Sequence, residues 1–296
     1  MKILVLGASG LVGSHVVEAG RRAGHQMIGT YRETPQPALI RCDVLDIDGV
    51  TALLADAQPE AVVYCAGWTW VDGCEADPER AMRENAAAPA AVAQLCFRSG
   101  IHFTSISTSY VFDGTSGPYA EDAVPNPINT YSRSKLEGER RVLEVTGEAA
   151  LIPRLICVYG AEARQKNFAY QVLAALQQGR ELLLPSDQEG NPSYAGDIAR
   201  WLIALLERRE RGIWHLAGPW PECKRPEWAE KLTAAFQANG VEPHPSFAIK
   251  SVTTSQLQQS ARRPLKAGMI SLKTGALGFV PTDFAQTIRE LAGAKL

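Results

Sequence analysis

The chain opens with ILVLGASGLVG at residues 3–13, where a short apolar run leads straight into a turn that carries three glycines. Gly7, Gly10 and Gly13 follow the spacing G-x-x-G-x-x-G, and helical periodicity runs from residue 11 to residue 23. Such a turn lets backbone approach a pyrophosphate closely, and the N-terminus of the next helix offers free N–H groups and the positive end of its dipole. Strand, glycine turn and helix in this order predict a dinucleotide-binding fold.

Apolar strand-like runs alternate with helical segments through the first half of the chain. The predicted strands cover residues 3–6, 26–30, 61–64, 102–107 and 149–155, and the predicted helices cover residues 11–23, 48–57, 78–98 and 131–146. Short apolar strands that alternate with helices indicate a parallel sheet covered on both faces. The predicted fold class is therefore α/β, with a Rossmann-type doubly wound parallel sheet.

After about residue 160 the alternation becomes less regular. Helices are predicted at residues 168–178, 196–207 and 227–238, and short strands at 181–184 and 213–216; seven prolines follow residue 218. We predict a dinucleotide-binding Rossmann domain over residues 1–160, with later contributions from about residues 190–218. Residues 161–296 are expected to form mainly a smaller C-terminal α/β lobe that binds substrate over the carboxyl edge of the sheet.

Composition places the chain among ordinary globular proteins. Of its 296 residues, 46% are hydrophobic and 21% are charged, and a net charge of −2 favours neither a nucleic acid nor an anionic membrane as partner. The six cysteines are scattered without a C-x-x-C pair, so no metal site is predicted and reduced thiols are expected. No apolar run reaches the ~18 residues that span a bilayer. We therefore expect a cytoplasmic protein.

The end of the second predicted strand bears on the choice of nicotinamide cofactor. Folds of this type hold the ribose 2′-hydroxyl of NAD with an acidic residue there, whereas a nearby arginine accommodates the 2′-phosphate of NADP. Thr30 and Tyr31 precede Arg32, and Glu33 comes one residue later. Arg32 is suited to a bidentate contact with phosphate, to which Thr30 would add a hydroxyl. We predict NADP(H) in preference to NAD(H); the alternative is that Arg32 is a solvated loop residue.

Tyr131 and Lys135 form a Y-x-x-x-K pair at the start of a predicted helix, and this spacing puts both side chains on one face. A phenol with a pKa of about 10 needs a nearby ammonium to act as an acid–base catalyst at neutral pH. Tyr131 would then exchange a proton with a carbonyl or alcohol oxygen while hydride moves at carbon. Upstream, Ile106-Ser107-Thr108-Ser109-Tyr110-Val111-Phe112 follows a predicted strand, at its carboxyl end. Ligands of open α/β sheets bind at that edge, so a hydroxyl there can hold the substrate carbonyl beside the tyrosine.

Seven segments carry a resemblance that runs nearly from end to end of the chain. They are GASGLVG at 7–13, CAGWTWVDGCEADPERAMRENAAAP at 65–89, ISTSYVFDGTSGPYAEDAVPNPINTYSRSKLEGE at 106–139, RLICVYG at 154–160, DQEGNPSYAGDIA at 187–199, GIWHLAG at 212–218 and RRPLKAGMISLKT at 262–274. Together they resemble the extended short-chain dehydrogenases, and most of all the dTDP-4-dehydrorhamnose reductase group. That group also includes the regulatory β subunit of methionine adenosyltransferase.

The resemblance implies roles for residues that match the family's motifs. Thr108, Tyr131 and Lys135 fall on its catalytic triad, in which the threonine orients the carbonyl and the lysine lowers the pKa of the tyrosine and binds the nicotinamide ribose. Ala66 and Gly67 fall where backbone meets the adenosine ribose. The whole predicted cofactor-binding set is Gly7, Ser9, Gly10, Leu11, Val12, Gly13, Thr30, Tyr31, Arg32, Asp43, Val44, Cys65, Ala66, Gly67, Asn85, Ser107, Tyr131 and Lys135.

Two members of this set carry particular expectations. Asp43 follows the third strand-like stretch, where it is either a partner of the adenine amino group or an exposed turn aspartate. Asn85 matches an asparagine that supports the cofactor site in the family, a role compatible with an asparagine that bonds backbone inside a helix.

The predicted substrate pocket departs from the family pattern. Ser109 replaces the aspartate next to the catalytic threonine, and Cys157 stands where nucleotide-sugar reductases of this type usually carry tryptophan. This side of the pocket is therefore expected to be apolar. Trp68 and Trp70 either line it or serve in packing or an interface, and residues 164–167 either grip a diphosphate or form a solvated loop. The predicted substrate-contacting residues are Trp68, Ser109, Tyr110, Val111, Phe112, Cys157 and Asn167.

These expectations favour hydride transfer from NADPH to a carbonyl, with Tyr131 as proton donor. The expected partner is a small-molecule carbonyl or alcohol, of which a nucleotide sugar is one candidate; a homodimer is left open. Two alternatives remain. One is an epimerase or dehydratase with the same triad and a retained nicotinamide. The other is a cofactor-binding regulatory subunit like the methionine adenosyltransferase relative.

Overall fold

The computed structural model describes residues 1–219 and 222–293. The strands are β1 (Lys2–Leu6), β2 (Gln26–Tyr31), β3 (Leu39–Arg41), β4 (Ala61–Tyr64), β5 (His102–Ser105), β6 (Ser107–Thr108), β7 (Leu151–Leu155), β8 (Val158–Tyr159), β9 (Glu181–Pro185), β10 (Glu189–Gly190), β11 (Ser193–Tyr194), β12 (Gly212–Leu216), β13 (Cys223–Lys224) and β14 (Ala248–Val252). The α-helices are α1 (Leu11–Arg22), α2 (Ile47–Ala57), α3 (Val71–Ala76), α4 (Pro78–Met82), α5 (Ala88–Arg98), α6 (Thr130–Val145), α7 (Phe168–Gln178), α8 (Ala195–Glu207), α9 (Arg225–Ala238), α10 (Leu272–Ala276) and α11 (Phe284–Gly293).

The main sheet is parallel, with the strand order β12-β7-β5-β4-β1-β2-β3 and with β6 also paired to β7. The chain leads from β1 to β2 and β3 on one side, and then crosses to β4 on the other side. Ligands of open α/β sheets bind at such a reversal, outside the carboxyl ends of the strands. The predicted fold class, with its central parallel sheet, is confirmed.

Helices on both faces of the sheet explain why β1 is apolar throughout. Ile3 and Val5 belong to one core, which they share with α1 and α8. Leu4 and Leu6 belong to the opposite core, which they share with α2, α5 and α6. All four side chains are completely buried. Because successive side chains of a strand alternate between faces, a strand between two helical layers must be apolar at every position.

A smaller lobe is built around α7, α9 and α11 and the parallel pair β9–β14. Its core includes the buried side chains of Leu173, Leu176, Leu232 and Phe236. The chain returns to the main sheet before this lobe is complete, because α8 packs on α1 and β12 pairs with β7. The lobe is therefore formed by segments that come before and after β12 in the sequence.

The structure differs from the predicted elements in a few places. The helix expected over residues 78–98 is divided: α4 ends at Met82, a π-helical turn spans Arg83–Ala87, and α5 begins at Ala88. The strand-like stretch expected before Asp43 is the three-residue β3, whereas α3, β14, α10 and α11 were not among the predicted elements. β14 is held by pairing with β9, a contact between distant segments that no local periodicity reveals.

In the two described ranges, no helix combines the length and the apolarity needed to cross a membrane. Nor do the residues described there include a cluster of three or more His, Cys, Asp or Glu side chains arranged to hold a metal ion.

Candidate active site

The glycine turn between β1 and α1 packs tightly against the chain that follows β4. A Cβ on Gly7 would lie 2.9 Å from the amide nitrogen of Ala66, and a Cβ on Gly13 would clash with the carbonyl oxygen of Gly7. Gly7 also has a φ of +85°, which residues with side chains rarely adopt. No side chain caps the N-terminus of α1. The turn therefore leaves the first N–H groups of α1 available to a pyrophosphate.

Two adjoining cavities lie along the carboxyl edge of the sheet. The first, of about 140 Å³, is lined by Gly7, Ser9, Gly10, Tyr31, Arg32, Cys42, Val44, Cys65, Ala66, Gly67, Glu84 and Arg164. The second, of about 520 Å³, is called the cleft below; its lining includes Leu11, Val12, Gly13, Ser107, Thr108, Ser109, Tyr110, Tyr131 and Cys157. Gly10, Cys65, Gly67 and Arg164 line both. The glycine turn is thus the shared wall of a groove that continues to the predicted catalytic residues.

Arg32 lies at the first cavity and is anchored by two carboxylates. Its guanidinium contacts Glu33 at 3.0 Å and the buried Glu84 at 3.4 Å. Glu84 is also held by Arg80 at 2.6 Å. Arg32, Arg80 and Asp43 together line a neighbouring depression, where the exposed Asp43 accepts a hydrogen bond from the amide of Leu45 at 3.0 Å. Arg32 is therefore an oriented side chain at the cavity rather than a freely solvated one.

Thr30 does not face either cavity. Its side chain is buried, and its Oγ1 accepts a hydrogen bond from the amide of Gly7 at 3.1 Å. The hydroxyl lies 3.4 Å from the carbonyl oxygen of Val5, to which it donates. The predicted direct contact between Thr30 and a 2′-phosphate is therefore wrong, because the side chain supports the glycine turn from behind.

Asn85 lies in the π-helical turn and clamps the chain after β4. Its Oδ1 accepts from the amide of Trp68 at 2.8 Å, and its Nδ2 donates to the carbonyl oxygen of Trp68 at 2.9 Å. Nδ2 also donates to the hydroxyl of Ser134 in α6 at 3.1 Å. Asn85 is 2% exposed. It therefore shapes the backbone at Gly67, which lines both cavities, by holding the next residue in place.

Thr108 and Tyr131 meet in the cleft. Thr108 ends β6, and Tyr131 lies in the first turn of α6, whose N-cap Asn129 accepts from the amide of Ser132 at 2.8 Å. Both residues line the cleft, and the Thr108 side chain is near enough to the Tyr131 hydroxyl to favour its ionised form. Burial raises the pKa of the Tyr131 hydroxyl above its ordinary value. The expected net lowering of this pKa is therefore not found in the chain by itself, which holds the phenol in its protonated form.

Lys135 lies one helical turn after Tyr131, and its Nζ donates to the carbonyl oxygen of Ile106 at 2.7 Å. Burial lowers the pKa of the Lys135 ammonium to about 8, although the nearby Glu139 carboxylate opposes this shift. Lys135 is thus tied to the strand segment just before Thr108. The three residues of the predicted triad come from two elements that this contact holds together.

A buried ion pair lies behind the triad. Glu139 receives two hydrogen bonds from Arg154 in β7, at 2.9 and 2.7 Å, and also accepts one from the hydroxyl of Ser107. The predicted cofactor residue Ser107 therefore directs its hydroxyl away from the cleft, although the residue lines it. Glu139 and Arg154 were not among the predicted site residues, although both lie inside quoted family segments. Their pairing joins α6 to β6 and β7.

The predicted substrate residues divide into two groups. Ser109, Tyr110, Cys157 and Asn167 line the cleft. Val111 and Phe112 do not, because both are completely buried in a core cluster, and their predicted contact with substrate is wrong. Asn167 also caps α7 through the amide of Ala169, and the hydroxyl of Ser109 is buried without a hydrogen-bond partner among the described residues.

Neither Trp68 nor Trp70 lines the cleft. Trp68 packs against the buried cluster of Cys74, Ala81 and Tyr131, and the guanidinium carbon of Arg80 lies 4.1 Å from the centre of the Trp68 ring. Trp70 is 66% exposed. The contact predicted for Trp68 is therefore indirect, since its neighbours Gly67 and Thr69 are the residues that reach the cleft.

Sequence reasoning also missed a residue from the second lobe. Arg225, the first residue of α9, lines the cleft together with Lys166 and Arg164. No motif marks Arg225, because its position depends on how the lobe packs over the sheet edge. A cation in the last third of the chain could be assigned to the site only from the tertiary structure.

Comparisons with known proteins place this geometry in a family. A family model described as RmlD substrate binding domain matches residues 1–295. The chain is 36% identical over 286 residues to a Haloferax volcanii protein named as a probable low-salt glycan biosynthesis reductase; the match covers 94% of this chain and 93% of that protein. It is 31% identical to methionine adenosyltransferase 2 subunit beta of Danio rerio, over 98% of this chain and 89% of that protein. It is also 31% identical to dTDP-4-dehydrorhamnose reductase of Streptomyces griseus, over 94% and 88% of the two chains.

Solved structures share the fold almost over the full chain. The crystal structure of a dTDP-4-dehydrorhamnose reductase from Clostridium acetobutylicum superposes with a TM-score of 0.85 at 25% identity, covering 99% of both chains. That of dTDP-4-dehydrorhamnose reductase from Bacillus anthracis, in complex with NADP, has a TM-score of 0.85 at 24% identity, covering 98% of this chain and 99% of that chain. The resemblance to the dTDP-4-dehydrorhamnose reductase group is confirmed.

Proposed function

The chain belongs to the RmlD substrate-binding domain family, and from that premise we propose that it is an NADPH-dependent reductase of a carbonyl substrate in which Tyr131 donates the proton. The observation that carries this proposal is that Thr108 and Tyr131 line the same cleft, which the glycine turn also lines. The relatives named as reductases support it. We place the protein in the cytoplasm and take a nucleotide sugar as its substrate class.

The residues present fit a nicotinamide dinucleotide. Gly7 and Gly13 have no room for a Cβ, and the uncapped α1 offers its N–H groups beside the cavity that continues to Tyr131. The NADP in the Bacillus anthracis structure supports the same assignment. When bound, the nicotinamide supplies hydride to the carbonyl carbon of the substrate.

The chain's own residues hold the carbonyl group and transfer the proton. The Thr108 hydroxyl holds the carbonyl oxygen, and the protonated Tyr131 hydroxyl donates a proton to that oxygen as charge develops on it. Lys135 places a positive charge one helical turn from Tyr131, which stabilises negative charge on the phenol after the proton has left. Its hydrogen bond to the carbonyl oxygen of Ile106 keeps the ammonium beside the strand that carries Thr108.

Replacing Tyr131 by phenylalanine tests this assignment. Loss of a general acid is expected to lower kcat/KM for NADPH oxidation by roughly 10²–10⁴-fold. The measurement uses a panel of 4-keto sugar nucleotides and apolar ketones, with NADPH affinity determined separately. Tyr170→Phe is the matched control, because Tyr170 is buried in the lobe core and does not line the cleft. A Tyr131→Phe enzyme with wild-type turnover would contradict the proposal.

The preference for NADPH over NADH is proposed from Arg32. Replacing Arg32 by alanine removes a charged contact to the 2′-phosphate and is expected to raise the Kd of NADPH about 10–100-fold. The Kd of NADH serves as internal control and should change little, because NADH lacks that phosphate. Titration of the intrinsic fluorescence of the bound cofactor measures both constants. If the wild-type chain binds NADH more tightly than NADPH, the role given to Arg32 fails.

A second candidate is a cofactor-binding subunit that regulates another enzyme. The observation that favours it is the 31% identity to the methionine adenosyltransferase subunit, together with Ser109 in place of an aspartate beside Thr108. The retained triad Thr108, Tyr131 and Lys135 favours the reductase. Tight NADPH binding without turnover of any carbonyl would support regulation, whereas turnover without net NADPH consumption would support an epimerase or dehydratase.

A further inference from the structure

Arg225, at the cleft, has no carboxylate partner among the residues that the structure describes. The guanidinium carbon of Arg225 lies 5.1 Å from the centre of the Phe168 ring. The described ionisable groups near enough to act on it are the thiols of Cys157 and Cys223 and the phenol of Tyr110, and none of them is a carboxylate. Among the described residues, no carboxylate forms an ion pair with Arg225. An arginine without a carboxylate in a concave site is available to an anionic ligand.

The charged residues around Arg225 make the cleft locally positive. Arg164 and Lys166 also line it, and Glu162 is the one acidic residue among its described lining residues. The Oε1 of Glu162 is already engaged, because it accepts from the amides of Lys166 and Asn167 at 3.0 and 2.7 Å. The chain as a whole has a net charge of −2. The positive charge is therefore concentrated in the cleft, where low-dielectric walls strengthen its field.

The position of Arg225 favours a contact with the substrate rather than with the cofactor. Arg164 lines both the first cavity and the cleft, whereas Arg225 lines the cleft alone. Arg225 also acts electrostatically on Tyr110, whose ring lies edge-on to that of Tyr131 with 6.0 Å between their centres. The guanidinium is thus on the side of the cleft that surrounds the proton donor.

We infer that Arg225 binds an oxyanion of the substrate, either a phosphate or a carboxylate, and so makes the cleft selective for anionic carbonyl compounds. The planar guanidinium matches both groups through two parallel hydrogen bonds, and the Phe168 ring under it limits its orientations. This inference rests on the proposed function, because it takes the cleft to be the substrate site.

The test measures binding by calorimetry to the full chain saturated with NADP⁺. The probes are thymidine 5′-diphosphate against thymidine, and glucuronate against glucose. Arg225→Met removes the charge while keeping an apolar side chain against Phe168. Arg225→Lys keeps the charge but lacks the planar guanidinium that forms two parallel hydrogen bonds. The matched control is Arg98→Met, which removes an exposed positive charge at the end of α5, outside the cleft. Unchanged NADP⁺ affinity and thermal unfolding show that each variant is folded.

Arg225→Met is expected to weaken the binding of an anionic probe by about tenfold or more, with Arg225→Lys intermediate and Arg98→Met unchanged. The neutral probes should bind the wild type and Arg225→Met alike. An effect confined to the diphosphate assigns the oxyanion to a phosphate, and one confined to glucuronate assigns it to a carboxylate. Failure of the wild type to bind either anion, or equal binding by Arg225→Met, overturns the inference. Anion binding that depends on Arg225 without any carbonyl reduction would refute the reductase instead.

Discussion

Burial shifts the pKa values of both Tyr131 and Lys135, in opposite directions. Burial disfavours the phenolate and raises the pKa of Tyr131, and it disfavours the ammonium and lowers the pKa of Lys135 to about 8. At neutral pH the phenol therefore keeps its proton and the lysine keeps most of its charge. This combination of protonation states suits a residue that must donate a proton to a carbonyl oxygen.

The pKa of Lys135 predicts the pH dependence of reduction. Below about pH 8 the ammonium is charged, and above it the charge that stabilises the ionised phenol is lost. We expect kcat/KM for carbonyl reduction to be level near pH 7 and to fall with a midpoint near that pKa, since this ratio reports the free enzyme. Lys135→Arg, which stays charged, should have lower activity that remains level to above pH 9. The same midpoint in both proteins would show that another group titrates.

The divided helix α4–α5 shows how one irregular turn serves a site. A regular helix over residues 78–98 would satisfy its own backbone, but the π-helical turn inserts a locally wider ring at Arg83–Ala87. This turn carries both Glu84, which anchors Arg32, and Asn85, which clamps Trp68. The close approach of α6 to the turn depends on Gly138, where a Cβ would clash with the carbonyl oxygen of Asn85. Such single π-turns often occur at functional sites.

Asn85→Ala tests the function of this turn. The substitution removes two hydrogen bonds to the backbone of Trp68, each of which contributes roughly 1 kcal/mol. The segment at Gly67 is then less ordered, and the Kd of NADPH should rise about tenfold. Ser134→Ala is the control, because it removes the third partner of Asn85 but leaves both hydrogen bonds to Trp68 in place, and it should change the Kd much less. Wild-type NADPH affinity in Asn85→Ala would show that the clamp does not support the cofactor site.

At the scale of the whole molecule, the segment at residues 260–270 ties the second half of the chain to the Rossmann sheet and its helices. Asp72 of α3 accepts from the amide of Ala261 at 3.0 Å and from Arg263 at 2.7 Å. Asn129, the N-cap of α6, donates to the carbonyl oxygen of Arg262 at 2.7 Å. The segment therefore fastens to α6, which carries Tyr131 and Lys135, and to α3, which packs against α6, so stability and cleft geometry are linked.

Asp72→Asn is expected to lower the free energy of unfolding by about 1–3 kcal/mol, because it weakens the contact with Arg263, whose side chain is 8% exposed. Urea unfolding followed by circular dichroism measures the loss. Asp56→Asn, an exposed change on α2, should stay within about 0.5 kcal/mol of wild type. Arg263→Met and the double variant complete a cycle. Additive losses in that cycle would mean that the two side chains are not coupled.

Local patterns in the sequence were enough to determine the α/β class, the glycine turn and the Y-x-x-x-K pair. The reason is that each depends on residues close in the chain: the alternation of β1 between two cores, the steric limits at Gly7 and Gly13, and the helical spacing of Tyr131 and Lys135. The seven family segments added the expected triad, with Thr108 as its third member.

What only the tertiary structure decided depends on contacts between distant segments. Only the tertiary structure shows that the Thr30 hydroxyl faces the glycine turn, that Val111 and Phe112 are buried in a core, and that Arg225 of the second lobe lines the cleft. It also raised the pKa of Tyr131, because desolvation is a property of the packed environment rather than of the residue's neighbours in sequence. Side-chain direction, burial and the net charge of a site arise when separate elements pack together, so the local periodicity of the sequence does not predict them.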